Sequence, residues 1–432
     1  MGTRAAALVQ IPAGRRERRP ALAGAWVVSA GMLVSGLLIY VFHAGAARAL
    51  GSTAYGHIAV LWAAMFLVVI VLFRPLEQAS ARAIADRHAR GETARPVVRS
   101  VVLLGMAALL VLVPVAALAW DRVTSGLFGG DDAMTAWLAV GIVAYGIAYV
   151  SRGIVTGARW FSGYGLGLTA DALARIAIAA PLLFVASLDV AAAAVTVAGL
   201  VGAGVPLVVG RARLHRLFAG RPGESFRLGR TLRFAAPASA IAAADQLLVN
   251  CSPILVMLEG GAPEAAAVVF AATMLVRVPT YVFQGLASSI LPNLTRLNAG
   301  DEAHRFRRAT LETAGVLFGA GVLIVAFAAV AGPEVLRLVY GPGFDAGRSS
   351  LVLLGAGVAF YLSATTFSQA LLALERSGRA SVAWTVAAVL FVSLYFTLPG
   401  TELQRVSQAF AAATFADLLM LAGLLHRRVR PR

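Results

Sequence analysis

The sequence predicts an all-α polytopic membrane protein with 12 transmembrane helices in two parallel six-helix lobes, both termini cytoplasmic. Three observations predict it: the composition, an alternation of arginine between connecting segments, and an internal repeat. Of 432 residues, 59% are hydrophobic and 13% charged, against about 25% charged in an ordinary soluble domain. That balance excludes a soluble globular protein. Twelve spans of about 20 residues need roughly 240 residues, which leaves room for short loops.

The apolar runs cover residues 21–43, 56–73, 97–119, 134–156, 164–187, 190–210, 231–257, 265–291, 310–331, 349–374, 380–398 and 404–425. The second run continues into an amphipathic stretch from Arg74 to Arg95 suited to the membrane surface. Cytoplasmic loops carry excess basic residues, and the segments between the runs alternate accordingly. One set holds Arg15, Arg16, Arg18 and Arg19, then Arg82, Arg87, Arg90 and Arg95, then Arg152 and Arg159. It continues with Arg211 to Arg230, Arg296 to Arg308, Arg376 and Arg379, and finally Arg427 to Arg432. The other set holds Arg48, Arg122, Arg337 and Arg348 among acids such as Asp131, Asp189, Glu259, Glu264 and Glu402. A signal peptide is the rival reading of the first run, but about 23 apolar residues exceed the 7 to 15 of a signal h-region, so a retained span is expected.

Charge and composition exclude several chemistries. There are 37 basic and 21 acidic residues, a net charge of +16, and every basic residue is arginine. A P-loop and a Schiff-base enzyme both need lysine, so neither is expected. The arginines are dispersed between apolar runs, so no nucleic-acid partner is expected. Cys251 has no second cysteine to pair with, and the six histidines are scattered without metal-ligand spacing. No metal, no catalytic residues and no enzyme activity are expected.

The chain also repeats itself. An offset of 210 pairs Phe73 with Phe283, Leu76 with Leu286, Glu92 with Glu302 and Gly105 with Gly315. At an offset of 217, Ser151 pairs with Ser368 and Arg159 with Arg376, and the strings LFGG (127–130) and VYGP (339–342) correspond at 212. The unit is six spans. An even number keeps both units in the same orientation, related by an axis along the membrane normal. The expected division is residues 1–220, an N-terminal lobe with an Arg-rich arm, and residues 221–432, a C-terminal lobe.

In order and spacing, several strings resemble the multidrug/oligosaccharidyl-lipid/polysaccharide (MOP) exporter superfamily, and within it the polysaccharide (Wzx-type) flippase branch. They are ALGSTAYGHIAVLW (49–62), LGRTLRFAAPASAIAAADQLLV (228–249), LVRVPTYVFQGLASSILPNLTRL (275–297), VLRLVYGPGFDAG (335–347) and SQALLALERSGR (368–379). The resemblance implies a MOP/MATE-like fold that works by alternating access and carries a polyprenyl-diphosphate-linked oligosaccharide across the cytoplasmic membrane of a bacterium for surface-polysaccharide synthesis. It implies membrane lipids, a polysaccharide polymerase and glycosyltransferases as partners. No cofactor is expected, with Na+ or H+ as the coupling ion. Two departures limit it: many relatives have 14 spans, and the first span carries no charge between Ala21 and Phe42, unlike lipid II flippases.

Ionisable groups inside a bilayer cost about 2.5 to 3.5 kcal/mol each on insertion scales, so they face protein or a water-filled cavity. Arg277 lies mid-span with Pro279 two residues on. Its guanidinium suits the diphosphate of a lipid-linked sugar, bound bidentately, or a structural pairing with Asp245. Asp245 is near Gln246 and Asn250 in a helix interrupted by Pro237 and Pro253. By resemblance to cation-coupled relatives, Asp245 and Asp417 are candidates for ion coupling. Asp171 and Arg175, four residues apart with the acid first, suit a structural pair. Arg74 and Arg152 lie near inner span ends, placed to snorkel to headgroups or to guard a cytoplasmic gate. Tyr145, Tyr149 and Ser151 on one lobe, and Ser363 to Gln369 on the other, hold equivalent places where hydroxyls and aromatic faces contact sugar or bond neighbouring helices. Among these, Tyr145, Tyr149, Ser368 and Gln369 join Arg277 and Asp245 as candidate substrate contacts. The alternatives are a MATE-type cation-coupled drug or metabolite antiporter and a lipid II flippase. A membrane polymerase or ligase is disfavoured, because the longest outward loop, 332–348, has no acid/base pair.

Overall fold

The computed structural model describes residues 15–223, 228–277, 294 and 303–426. The strings and arginines expected at 278–293, 295–302 and 427–432, with Pro279, Phe283, Leu286 and Glu302, lie outside the described residues.

The described chain is helical. The elements are α1 (Arg15–Ala89), α2 (Arg95–Phe128), α3 (Asp132–Gly157), α4 (Phe161–Ala179), α5 (Leu188–Val209), α6 (Arg211–His215), α7 (Leu228–Asn250) and α8 (Ser252–Leu258). They continue with α9 (263–277), then α10 (Ala303–Tyr340), α11 (Arg348–Ala373), α12 (Ser377–Thr397) and α13 (Glu402–His426). Among the described residues nine helices are long and apolar enough to cross a membrane, and α7 with α8, bent by 66°, makes a tenth as one broken span.

Three helices depart from the sequence reading of one run per helix. Gly51 interrupts α1 at φ 75 and ψ 175, a conformation that a side chain would strain. The first two apolar runs therefore continue through a kink without a loop, and the amphipathic stretch after Arg74 extends the same helix to Ala89. The seventh run is likewise two helices, broken at Cys251 with Pro253 in the first turn of α8.

The repeat is visible in backbone geometry. Asp132 to Arg348 and Gly157 to Ala373 are both steps of 216, so α3 and α11 are equivalent helices of 26 residues each. The turns that follow match at the same step: among the described residues, Arg159 and Glu375 are the two non-glycine residues with positive φ, 54° and 58°. Trp160 N bonds Val155 O, and Arg376 N bonds Leu371 O. In the first half α1 packs on α3 and α4, and α5 closes on α3 and α4; in the second, α11 packs on α10 and α13, and α12 on α13 and α7. The broken helix α1 also touches α7, α8 and α10, which joins the halves.

Small residues allow these contacts. A Cβ on Gly153 would stand 2.1 Å from Ser80 Oγ and 3.0 Å from the Glu77 carbonyl, so α1 and α3 meet backbone to backbone. Gly153→Val is expected to destabilise by about 1–3 kcal/mol. Gly126→Ala, where a Cβ meets nothing within 4 Å, is expected to raise the melting temperature slightly, since alanine is the better helix former. Thermal unfolding in detergent checks both signs.

Candidate functional site

Two charged centres lie within the spans, one in each half. In the first, Asp171 of α4 accepts hydrogen bonds through Oδ1 from Arg175 Nη2 at 2.7 Å and from Tyr145 OH at 3.0 Å. Its Oδ2 accepts from Arg152 Nη2 at 3.2 Å. Arg175 also donates to the Tyr145 hydroxyl and lies over the Trp62 ring, 5.1 Å from its centroid. The i,i+4 spacing of Asp171 and Arg175 produces the expected pair, and folding adds a tyrosine and a second guanidinium from α3. Arg152 turns inward, over the Tyr149 ring at 5.0 Å, rather than snorkelling, because Asp171 offers it a carboxylate in a place where water does not. Arg74 stands beside Tyr149, Tyr164 and Glu77. One oxygen of the buried Glu77 has no hydrogen-bond partner, and neither does Nε of Arg74. This centre thus holds three guanidiniums, from Arg74, Arg152 and Arg175, against two carboxylates, from Glu77 and Asp171, and Arg74 is also within electrostatic reach of Asp245 in the second half.

The second centre sits at the broken span. Arg277 Nη1 donates to the Val249 carbonyl at 2.9 Å and to Asn250 Oδ1 at 3.5 Å. Asn250 Nδ2 donates to Gln246 Oε1 at 2.5 Å, and Gln246 Nε2 donates to Asp245 Oδ2 at 3.3 Å. Tyr361 OH closes the chain onto Asp245 Oδ1 at 2.6 Å. The last carbonyls of a helix have no intrahelical donor, so Arg277 caps the end of α7 where Cys251 interrupts it. The polarity around Asp245 noted in the sequence is therefore a head-to-tail relay between that cap and the carboxylate. Asp417 of α13 is buried within electrostatic reach of Asp245, and its Oδ1 has no hydrogen-bond partner. Ser368 accepts from Trp384 Nε1 at 3.1 Å, Tyr145 is fully buried, and Gln369 is half-buried on α11.

The ends of the spans differ in charge. At one end, the segment between the halves docks on the turn between α1 and α2: Thr93 N bonds Arg221 O, Arg221 N bonds Gly91 O, and Ala94 N bonds Leu217 O. Arg90, Arg95, Arg211, Arg213, Arg216 and Arg221 are exposed there. At the opposite, acidic end the halves are in direct contact. Arg48 donates to the Val339 carbonyl at 2.9 Å and to that of Leu338, capping α10. Thr53 donates to Glu264 at 2.5 Å, a Cβ on Gly56 would collide with the Pro263 carbonyl, and Tyr55 packs against Phe270, Tyr340 and Phe344. Thr53 and the backbone of the first turn of α9 hold the Glu264 carboxyl below the usual range.

Sequence reasoning did not single out Glu77, Trp62, Tyr361 or Arg48. Glu77 carried a readable signal, three residues after Arg74 on one helix face. The other three act across elements and have no local signature.

The described residues thus form an all-helical fold of helices long and apolar enough to cross a membrane, with a repeated helix-and-turn unit and two buried charged centres. Among solved structures, the chain is similar to an inward-facing multidrug-resistance MATE transporter of the MOP superfamily, with a TM-score of 0.72 and 15% identity over 93% of this chain and 98% of the other. It is similar to the outward-facing form of a MATE transporter of that superfamily (TM-score 0.64, 16% identity, 94% and 95% covered). A Vibrio cholerae MATE transporter in a bent form gives a TM-score of 0.60 and 14% identity, with 95% and 98% covered. By sequence, it is 25% identical over 260 residues to an uncharacterised protein of Mycobacterium bovis and to proteins of two Mycobacterium tuberculosis strains. The match spans 59% of this chain and 58% of those relatives' length. No protein-family profile matches the chain. The chain is a multi-pass membrane protein with the MATE-like transporter fold.

The first centre orders two substitutions. Asp171→Leu leaves two guanidiniums and the Tyr145 hydroxyl without their carboxylate and is expected to cost about 3–5 kcal/mol. Arg175→Leu leaves Asp171 on Arg152 and is expected to cost less; equilibrium unfolding in detergent gives the order. At the acidic end, a hydrogen bond from Arg405 holds the Glu259 carboxyl below its usual range. A depressed carboxylate contributes stability above its unfolded value, near 4.3, and loses it as pH falls through the folded value. Melting temperature is therefore expected to drop as pH is lowered from about 5 to 3. Arg405→Gln is expected to flatten that drop.

Proposed function

We propose that the chain is a cation-coupled flippase that moves polyprenyl-diphosphate-linked oligosaccharide across a bacterial cytoplasmic membrane, with 12 spans and both termini inside. The observation that carries this reading is the division of charge between the halves. The first centre has one more guanidinium than carboxylates, with Asp245 of the second half within electrostatic reach of Arg74, and charge inside a bilayer is costly enough to mark function. A diphosphate headgroup supplies the missing anion, and Arg152 and Arg74 are the guanidiniums placed to take it, as planar forks that match phosphate oxygens. Tyr149, between them, offers an aromatic face to the first sugar.

The second centre has the opposite balance, Asp245 and Asp417 against Arg277. Two nearby carboxylates with one partnerless oxygen suit a proton or Na+, and ion coupling is assigned there. Arg277 is given the cap of α7 as its resting role. The relay from Asp245 to that cap links ion binding to the bend between α7 and α8. The contacts of Arg48, Thr53 and Tyr55 at the acidic end fit a state closed to the outside, in keeping with the likeness to an inward-facing transporter.

A second reading is a drug or metabolite antiporter that takes cations at Asp245 and Asp417. The partnerless oxygen of Asp417 favours it, as do the multidrug-resistance descriptions of the solved structures. Flipping of a fluorescent polyprenyl-diphosphate oligosaccharide in proteoliposomes separates the two. Wild type is expected to flip it, with Arg152→Ala at least about ten-fold slower at matched insertion, a barrier raised by roughly 1.4 kcal/mol. Wild type that flips none, but moves cationic dyes against a Na+ or proton gradient, overturns the flippase reading.

A further inference from the structure

α2 is the least buried of the described spans, and it meets α3 where Thr124 bonds Thr135 and where Gly105 faces Val150. Two apolar pockets of about 240 and 230 Å³ lie between them and share Leu109. Together they run from Val102 to Val123 on α2 and from Ile154 to Thr135 on α3. At about 1.5 Å per residue, those 21 steps of α2 span about 32 Å, the hydrocarbon thickness of a bilayer, about 30 Å. An acyl chain of an ordinary phospholipid occupies one leaflet, about half that depth. A groove lined through both leaflets fits a longer chain.

The face of α2 that lines the groove carries its own charge pattern. Arg95, Arg99, Val102, Met106 and Leu109 follow one another at steps of four and three, which places them on one side of the helix. Arg95 and Arg99 are both exposed at the basic end. The same face is cationic for one turn and then apolar across the membrane, the pattern of a long-chain lipid with an anionic phosphate head.

We propose that the groove between α2 and α3 binds the polyisoprenoid chain of a prenyl-diphosphate lipid, with Arg95 and Arg99 at its headgroup end. This rests on the flippase reading, since the chain is that of the proposed substrate. The tail stays in the lipid-facing groove while the head enters between the lobes.

Met106 and Ile147 face the groove and are 54% and 44% exposed, so Met106→Trp and Ile147→Trp fill it without disturbing the packed core. Full-length protein in proteoliposomes is given oligosaccharide on an eleven-isoprene or a two-isoprene diphosphate. Either variant is expected to slow the long-chain substrate at least about ten-fold and to leave the short-chain one within about two-fold, on the tenfold-per-1.4 kcal/mol scale of barriers. A benzophenone on the terminal isoprene of the long prenyl diphosphate is expected to label α2 and α3 in wild type and not in the variants. Unchanged long-chain flipping in both folded variants overturns the proposal, and so does equal labelling by a benzophenone phosphatidylcholine. If wild type flips neither substrate while the long-chain probe alone labels the groove, the groove stands and the flippase reading falls.

Discussion

A charge inside a bilayer must be held by other protein groups, and the arrangement around Asp171 depends on that constraint. One carboxylate takes two guanidiniums and a phenol from α3 and α4, while Arg175 extends the contact to Trp62 of α1. Remove the carboxylate and three elements lose their common point. Buried ion pairs are weak evidence of stability in themselves; here the pair fixes the relative position of α1, α3 and α4, and so the shape of the first lobe.

The second lobe solves the same problem differently. Where the first uses direct ion pairs, the second joins Arg277 to Asp245 through two amides, each accepting on one side and donating on the other. A chain of this kind keeps the two charges in communication without neutralising Asp245 by contact. Pro253 makes it possible: standing four residues after Val249, it has no N–H to give that carbonyl, which is left for Arg277 to cap. The break, the cap and the relay are therefore one feature.

Much of this was legible in the sequence, and the parts that were not share a cause. Nine apolar helices and one broken span among the described residues followed from hydropathy, and the repeat from pairs of residues at offsets near 210 to 217; the backbone sets the step between α3 and α11 at 216, which matches Arg159 with Glu375 rather than with Arg376. Asp171 and Arg175 were readable because their contact is local to one helix. Their third and fourth partners, Tyr145 and Arg152, come from α3 and have no spacing that announces them. Tyr361 reaches Asp245 over 116 residues, and Arg48 reaches the end of α10 over 291. Gly51 showed only as a glycine after the first apolar run; that it bends a continuous helix, rather than marking a loop, depends on the packing of both arms.

The central claim is that the cationic excess of the first centre is there for an anionic headgroup. Its most direct measurement is the affinity of the purified full-length protein for a prenyl diphosphate and for the prenyl alcohol of the same chain length. The account predicts the diphosphate to bind at least about ten-fold tighter, some 1.4 kcal/mol, with the difference lost in Arg152→Ala. Equal affinity for the two, or a preference for the diphosphate that survives loss of Arg152, would contradict it.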